Sequence, residues 1–236
     1  MLINNVDIST FKAKQLSADV QSSNITNNSE WIKSSLTPFF EKNTIEFKAI
    51  KVSLCFTGSN NDEIRNNITN LLAKCIDSIK LKLDGYVNKF KCILCGSEMS
   101  KTVSQEVQVA TLSFIGYEYG DDVITTANKT YTKNITVIGS TKAPAIFEIT
   151  PSTNLSDINI TCSFANGTTN EIIIKNLTAN KKVIVNGEIA TITENGINKF
   201  SDFESWEFPF LEPGITTITF SRNTCDTNII YKPRYI

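Results

Sequence analysis

The sequence predicts a mainly β protein in two parts: an α+β N-terminal part, a barrel or sandwich of strands with one helix, and a C-terminal β-sandwich. Three observations lead there. From residue 131 onward, short apolar runs alternate with polar residues and are separated by Gly139, Gly167, Gly187 and Gly196, the pattern of strands buried on one face. One stretch, about 61 to 80, carries a helical period instead. Near the end, two apolar runs flank Glu212-Pro213-Gly214, where Pro213 presets a negative φ and Gly214 can take the positive φ of a type II turn.

That last stretch reads as strand, tight turn and strand. Before the turn, Trp206, Phe208 and Phe210 alternate with Glu207 and Pro209, which puts three rings on one face. After it, Ile218 and Phe220 alternate with Thr217 and Thr219. The plainest reading of this alternation is a hairpin whose rings belong to the core.

In chain order, Leu2-Ile3, Val6, Ile8, Phe11, Leu16 and Val20 fit short strands. Residues 22–29 are rich in Asn, Ser and Thr and read as a loop. An apolar arm follows, with Trp31, Ile32, Leu36, Phe39 and Phe40 around Pro38. It folds either onto its own domain or onto a neighbour, since long loops in compact domains are usually functional. Residues 45–56 form a strong strand whose apolar parity changes at Ala49-Ile50, predicting a bulge or burial of both faces. Asn60, with Glu63 three residues on, resembles a capping box. Ile64, Ile68, Leu71, Leu72, Cys75, Ile76 and Ile79 then keep a 3.6-residue period, predicting a helix over about 61–80 that lies on the sheet. Asp84-Gly85 is a hairpin turn between strands, and long strands are predicted over 86–95 and 103–119. Domains are therefore expected at 1–121 and 131–236, with 122–130 as the linker.

Composition excludes several functions. The 236 residues carry a net charge of −1, and the pI near 5.7 gives no overall pull toward nucleic acid or anionic membrane. There is no histidine, which removes Ser-His and Cys-His nucleophiles and His-ligated zinc. Glu204, Glu207 and Glu212 lie close in sequence, but no spacing marks an acid and its partner, and solvated edges and turns account for them. No apolar span is long enough to cross a membrane, and residues 1–10 do not read as a signal peptide. The six cysteines are then expected as thiols, including Cys92 and Cys95, which a strand would point to opposite faces with no further ligand beside them. Neither a cofactor nor a metal is expected.

Phe208-Pro209, Leu211, Pro213-Gly214 and Ile218 resemble the closing signature of the phage distal tail protein (Dit) family, with Thr216 where that family often has Asn. Val137-Ile138-Gly139 with Ala143-Pro144-Ala145-Ile146 is similar to the opening of its C-terminal domain, Ile138 replacing the usual Asn-type residue. Val183 to Gly187 resembles an internal strand and turn, with Asn186 where an acid is common, and Tyr231-Lys232-Pro233-Arg234-Tyr235 resembles the family's tail. The strand, helix, strand, strand order of the first half matches the family's N-terminal domain, so the resemblance spans nearly the whole chain. It implies a galectin-like C-terminal sandwich and an N-terminal ring-forming domain. It further implies a homo-hexameric ring joining the tail tube protein to the tail-tip protein, with the genome passing through unbound. Such a protein is a virion component made in the host cytoplasm, inserts in no membrane and catalyses nothing. On this reading Trp31, Phe39 and Phe40 are oligomer-interface candidates, and Phe208, Pro209, Leu211, Pro213 and Gly214 form a structural motif. The alternative is a carbohydrate-binding module for host-surface recognition using Trp206, Phe208 and Phe210, which requires those rings to lie outside the core.

Overall fold

Alternating side chains need a second layer to bury them, and each half of the chain finds one separately. The computed structural model describes residues 1–30, 33, 36–37, 39–100, 104 and 106–236, and at 28, 29 and 40–43 it describes the backbone alone. It divides into two compact units, Met1–Tyr119 with Ile236, and Gly120–Tyr235. Mainly β structure with a single α-helix among the described residues is what the sequence predicts.

The first unit contains β1 (Leu2–Ile3), β2 (Val6–Asp7), β3 (Ala13–Val20), β4 (Ile25–Glu30), β5 (Phe39–Ile45), β6 (Lys48–Thr57), α1 (Asn61–Ala73), β7 (Ile79–Lys82), β8 (Lys89–Met99) and β9 (Val107–Tyr119). Its antiparallel sheet runs β2-β1-β7-β8-β9-β6-β3. On β6 the residues Ile50, Val52, Leu54 and Phe56 are all buried, and they share a core with Phe90, Leu112 and Phe114 from the neighbouring strands and with Ile64, Ile68 and Leu71 of α1. The predicted helix thus covers the sheet, as its stripe requires.

Two expectations change. The helix ends at Ala73 rather than near 80: Ile76 is exposed, and Ile79 is buried as the first residue of β7, paired with Cys92. The helical period continued past the true end because a strand residue happened to fall on it. The parity change at Ala49-Ile50 is no bulge, since β6 pairs with β9 in unbroken register from Lys48 to Thr57. Ile45 instead closes β5, a strand of a different sheet, and Phe47 connects the two. Cys92 is buried and Cys95 exposed, on either side of a register shift between Leu94 and Gly96.

At the start of α1, Asn60 Oδ1 accepts a hydrogen bond from the Glu63 N–H at 2.9 Å, while Glu63 reaches back to the Ser59 N–H at 2.7 Å. This is the predicted box with its return bond shifted one residue outward.

The second unit contains β10 (Val123–Asn128), β11 (Thr132–Val137), β12 (Ala143–Pro151), β13 (Leu155–Phe164), β14 (Thr169–Leu177), β15 (Val183–Asn186), β16 (Thr191–Glu194), β17 (Ile197–Asn198), β18 (Phe210–Leu211), β19 (Gly214–Phe220) and β20 (Cys225–Tyr231). One sheet runs β10-β20-β12-β15-β16-β17 with β18 attached to β12, and the other runs β11-β19-β13-β14. Phe147, Ile149, Val185 and Ile229 from the first meet Ile158, Ile160, Ile172 and Ile218 from the second in one core, a β-sandwich. The stretch 122–130, expected as a linker, is corrected: β10 pairs along β20 from Val123 opposite Tyr231 to Asn128 opposite Asp226. Its Thr-rich sequence hid a strand whose identity comes from a partner a hundred residues away.

Candidate functional site

Among the described residues no group of His, Cys, Asp or Glu is arranged to hold a metal ion, and no helix is long and apolar enough to cross a membrane. Burial pushes the Cys92 and Cys162 thiols up to about 12, Cys92 also feeling Cys75 and Cys95, so neither is primed as a nucleophile or ligand. Of the glutamates that the sequence grouped, Glu204 pairs with Lys175 at 2.5 Å, Glu212 lies apart, 3.6 Å from Lys142, and Glu207 is exposed. The features that ask for an explanation are surfaces.

The first is a ribbon. β4 and β5 pair only with each other, from Ile25 opposite Ile45 to Glu30 opposite Phe39, with a register shift between Asn28 and Ser29. Its base is tied by the Glu46 N–H donating to the Asn24 carbonyl at 2.9 Å and by Asn24 Nδ2 donating to Glu46 at 3.3 Å. A two-stranded ribbon has no core of its own and is marginal in water. Yet its apolar residues face solvent: Ile25 is 48% exposed, Ile45 45% and Phe39 56%, with Phe47 and Leu36 more open still. Exposed, grouped apolar side chains on a ribbon that joins no larger sheet mark a surface meant to be covered. Of the interface candidates, Phe39 lies on this ribbon, Phe40 contributes backbone opposite Ser29, and Trp31 and the Phe40 side chain lie outside the described residues. Ile25, Ile45 and Phe47 were missed. The parity change at Ala49-Ile50, which predicts a bulge or burial of both faces, is the signal for two of them.

The second feature is the corner carrying the closing motif. Gly214 has φ +110, as the turn demands. The strands on its two sides do not form a hairpin, which corrects the sequence reading: β18 pairs with β12 in one sheet, while β19 pairs with β11 and β13 in the other. Pro213-Gly214 moves the chain between layers. Leu211 and Pro209 are buried, Phe208 and Phe210 pack against the core from a partly buried position, and Phe210 stacks on Phe164 at 5.3 Å under the Lys142 ammonium at 3.6 Å. Trp206 is wholly exposed and precedes the strand, so the three rings do not share a face.

The remaining motifs meet around this corner. The Ala145 N–H donates to the Pro209 carbonyl and the Gly187 N–H to the Ala145 carbonyl, both at 2.9 Å. A Cβ on Gly187 would lie 2.0 Å from the Pro209 oxygen, so no other residue fits without displacing backbone. Asn186 Oδ1 accepts from the N–H groups of Glu188 and Ile189 at 2.9 and 3.3 Å, doing here what an acid would do. Close by, where Tyr231 pairs opposite Ala145, the Ile138 N–H donates to the Tyr231 hydroxyl at 3.0 Å and the Ser140 N–H to the Arg234 carbonyl at 2.8 Å, joining the opening motif to the tail. Thr216, standing in for an Asn, is fully buried and its hydroxyl has no partner.

Residues 138–235 match the family model described as siphovirus-type tail component, C-terminal domain. The matched residues all lie in the second unit, which is similar to that domain. The whole chain has the distal tail protein fold: it is similar to the SPP1 Dit protein, described as a paradigm of hub adsorption apparatus in Gram-positive-infecting phages, with a TM-score of 0.79 at 10% identity over 100% of this chain and 98% of that one. A chain of the phage P2 baseplate in its activated conformation with Ca is similar with a TM-score of 0.58 at 12% identity, over 96% of this chain and 92% of that one. No curated protein matches the chain in sequence. The family resemblance read from the motifs is thereby borne out, and the matched span runs from the opening motif at Ile138 to the tail at Tyr235.

Proposed function

We propose that this tail component is a distal tail hub: a structural, non-enzymatic protein that assembles as a hexameric ring joining the tail tube to the tail-tip adsorption apparatus. It is made in the host cytoplasm and built into the virion, where the genome passes through the ring without specific contacts. The observation that carries this reading is the solvent-facing apolar ribbon on a chain with the distal tail fold. A closed ring needs one head-to-tail interface repeated around the axis. The ribbon supplies one half of it, with Ile25, Phe39 and Ile45 as the apolar contacts. Among the described residues none covers these side chains, whereas a neighbouring copy would bury them and complete the ribbon's hydrogen bonds.

Negative-stain imaging and multi-angle light scattering of the purified chain test this. A six-fold ring with a central hole is expected, and an Ile25→Asp/Phe39→Asp double variant is expected as a folded monomer with the circular dichroism of the parent. A wild-type chain that stays monomeric at high concentration, or a double variant that still forms rings, would count against the proposal.

A further inference from the structure

A shallow groove of about 280 Å³ lies in the second unit between β14 and the residues that follow the 3-10 turn Phe200–Asp202. Glu171, Glu204, Ser205 and Glu207 line it with Trp206, which is wholly exposed. The backbone that displays this ring is fixed. The Glu204 N–H donates to the Ile173 carbonyl at 3.1 Å, the Ile173 N–H donates to Ser205 Oγ at 2.6 Å, and Phe203 bridges to Ile174. Beneath it Phe203 and Phe208 stack at 4.9 Å and pack against the core. The preceding turn is held by the buried Lys199 ammonium, which donates to Asp202 and to the Asn176 carbonyl, both at 2.8 Å. The Lys199 bond keeps the Asp202 carboxyl below its ordinary range.

A large ring presented to water on a rigid support contributes nothing to the core and is placed for recognition. The groove's chemistry selects the occupant. A protein surface covering it would have to desolvate the carboxylates of Glu171, Glu204 and Glu207, which is costly without matched cations. Glu204 already pairs with Lys175, and Glu171 accepts from Asn159 at 2.5 Å. A sugar ring suits the site better: the C–H groups of one face stack on the indole while its hydroxyls donate to carboxylate and Ser205 oxygens and stay partly hydrated. Next to Glu171 the outer sheet face continues in hydroxyls, with Thr161 opposite Glu171 and Ser163 opposite Thr169. The same carboxylates repel anionic polymers.

We infer that the groove at Trp206 binds a neutral saccharide, with the indole as stacking platform and Glu171, Ser205 and Glu207 as hydroxyl partners. The site belongs to the second unit alone and holds whether or not the ring forms.

The test exposes the full-length protein to immobilised neutral oligosaccharides built on glucose, galactose and N-acetylhexosamines, beside hyaluronan and a polyol-phosphate polymer as anionic probes. Ligands are then titrated calorimetrically. Expected are binding to at least one neutral oligosaccharide and none to the anionic polymers. Trp206→Ala should lose about tenfold or more in affinity, a difference readily measured, Trp206→Phe should recover part of it, and both should melt like the parent. Wild-type affinity in Trp206→Ala, or preference for the anionic probes, overturns the inference. So does a panel without any neutral ligand. If such a blank panel is accompanied by failure of Trp206→Ala to enter tail particles, the indole belongs to a protein contact instead.

Discussion

The two units dispose of their apolar side chains in different ways. In the second, two sheets face each other and Phe147, Ile160, Val185, Ile218 and Ile229 are fully buried between them. In the first, one sheet is covered by α1, while β4 and β5 extend a separate ribbon whose Ile25, Phe39 and Ile45 stay open. The sandwich satisfies itself; the ribbon unit does not. The comparison teaches that an apolar strand face is closed or left open according to whether, among the described residues, a second layer packs on it.

The largest effect that can break this comparison is expected from cutting the chain. Residues 120–236 alone should fold and stay monomeric, whereas 1–119 should associate, as light scattering would show. Starting the second fragment at 130 removes β10, strips the edge from β20, and should leave a fragment that melts well below the 120–236 form. A hexameric 120–236 fragment beside a monomeric 1–119 would reverse the assignment of the two roles.

Next comes a buried ion pair in the first unit. Lys48 Nζ lies 2.5 Å from Glu118, whose other oxygen accepts from Asn88 at 2.7 Å, and the Lys48 side chain is only 8% exposed. Glu118→Ala would strand that ammonium and should cost about 3–5 kcal/mol in urea unfolding of the whole chain. A Lys48→Met/Glu118→Leu double variant should recover most of it, which separates the cost of an unpaired charge from any need for the pair itself.

A smaller loss is expected at the corner of the second unit. Gly187→Ala must push its methyl against the Pro209 carbonyl and should destabilise by about 1–3 kcal/mol, as overpacking does. Wild-type stability in that variant would mean that the corner is less rigid than its hydrogen bonds indicate.

The smallest effect is the acid response of the α1 cap. Glu63 accepts from Lys12 and from the Ser59 N–H, and these bonds hold its carboxyl down at about 2. Its ordinary value is 4.5, so the stability it contributes is fully present above that pH and is lost as pH falls toward 2. Because the group is solvent-accessible, the effect should be small: Glu63→Gln should flatten the acid side of the stability profile slightly and leave the neutral side nearly unchanged.

Sequence alone determined whatever depends on near neighbours. The period of 64–71 made α1, Asn60 and Glu63 capped it, the alternation on β6 and β12 declared one buried face, and Pro213-Gly214 made a turn with positive φ at the glycine. It also carried the family motifs, because each holds a backbone contact that few residue types permit, as Gly187 against Pro209 shows. Tertiary structure decided what depends on distant partners. Whether Pro213-Gly214 joined two strands of one sheet or two layers rested on β12, β11 and β13; whether 123–128 was linker or strand rested on β20; and where α1 stopped rested on the pairing of Ile79 with Cys92. The same holds for Trp206, which fits a core alternation in sequence but stands in solvent because Glu204 and Ser205 bond to the edge of β14 and turn the chain outward before the strand begins. Local periodicity reports that a face is apolar. Only the completed fold supplies, or withholds, the layer that covers it.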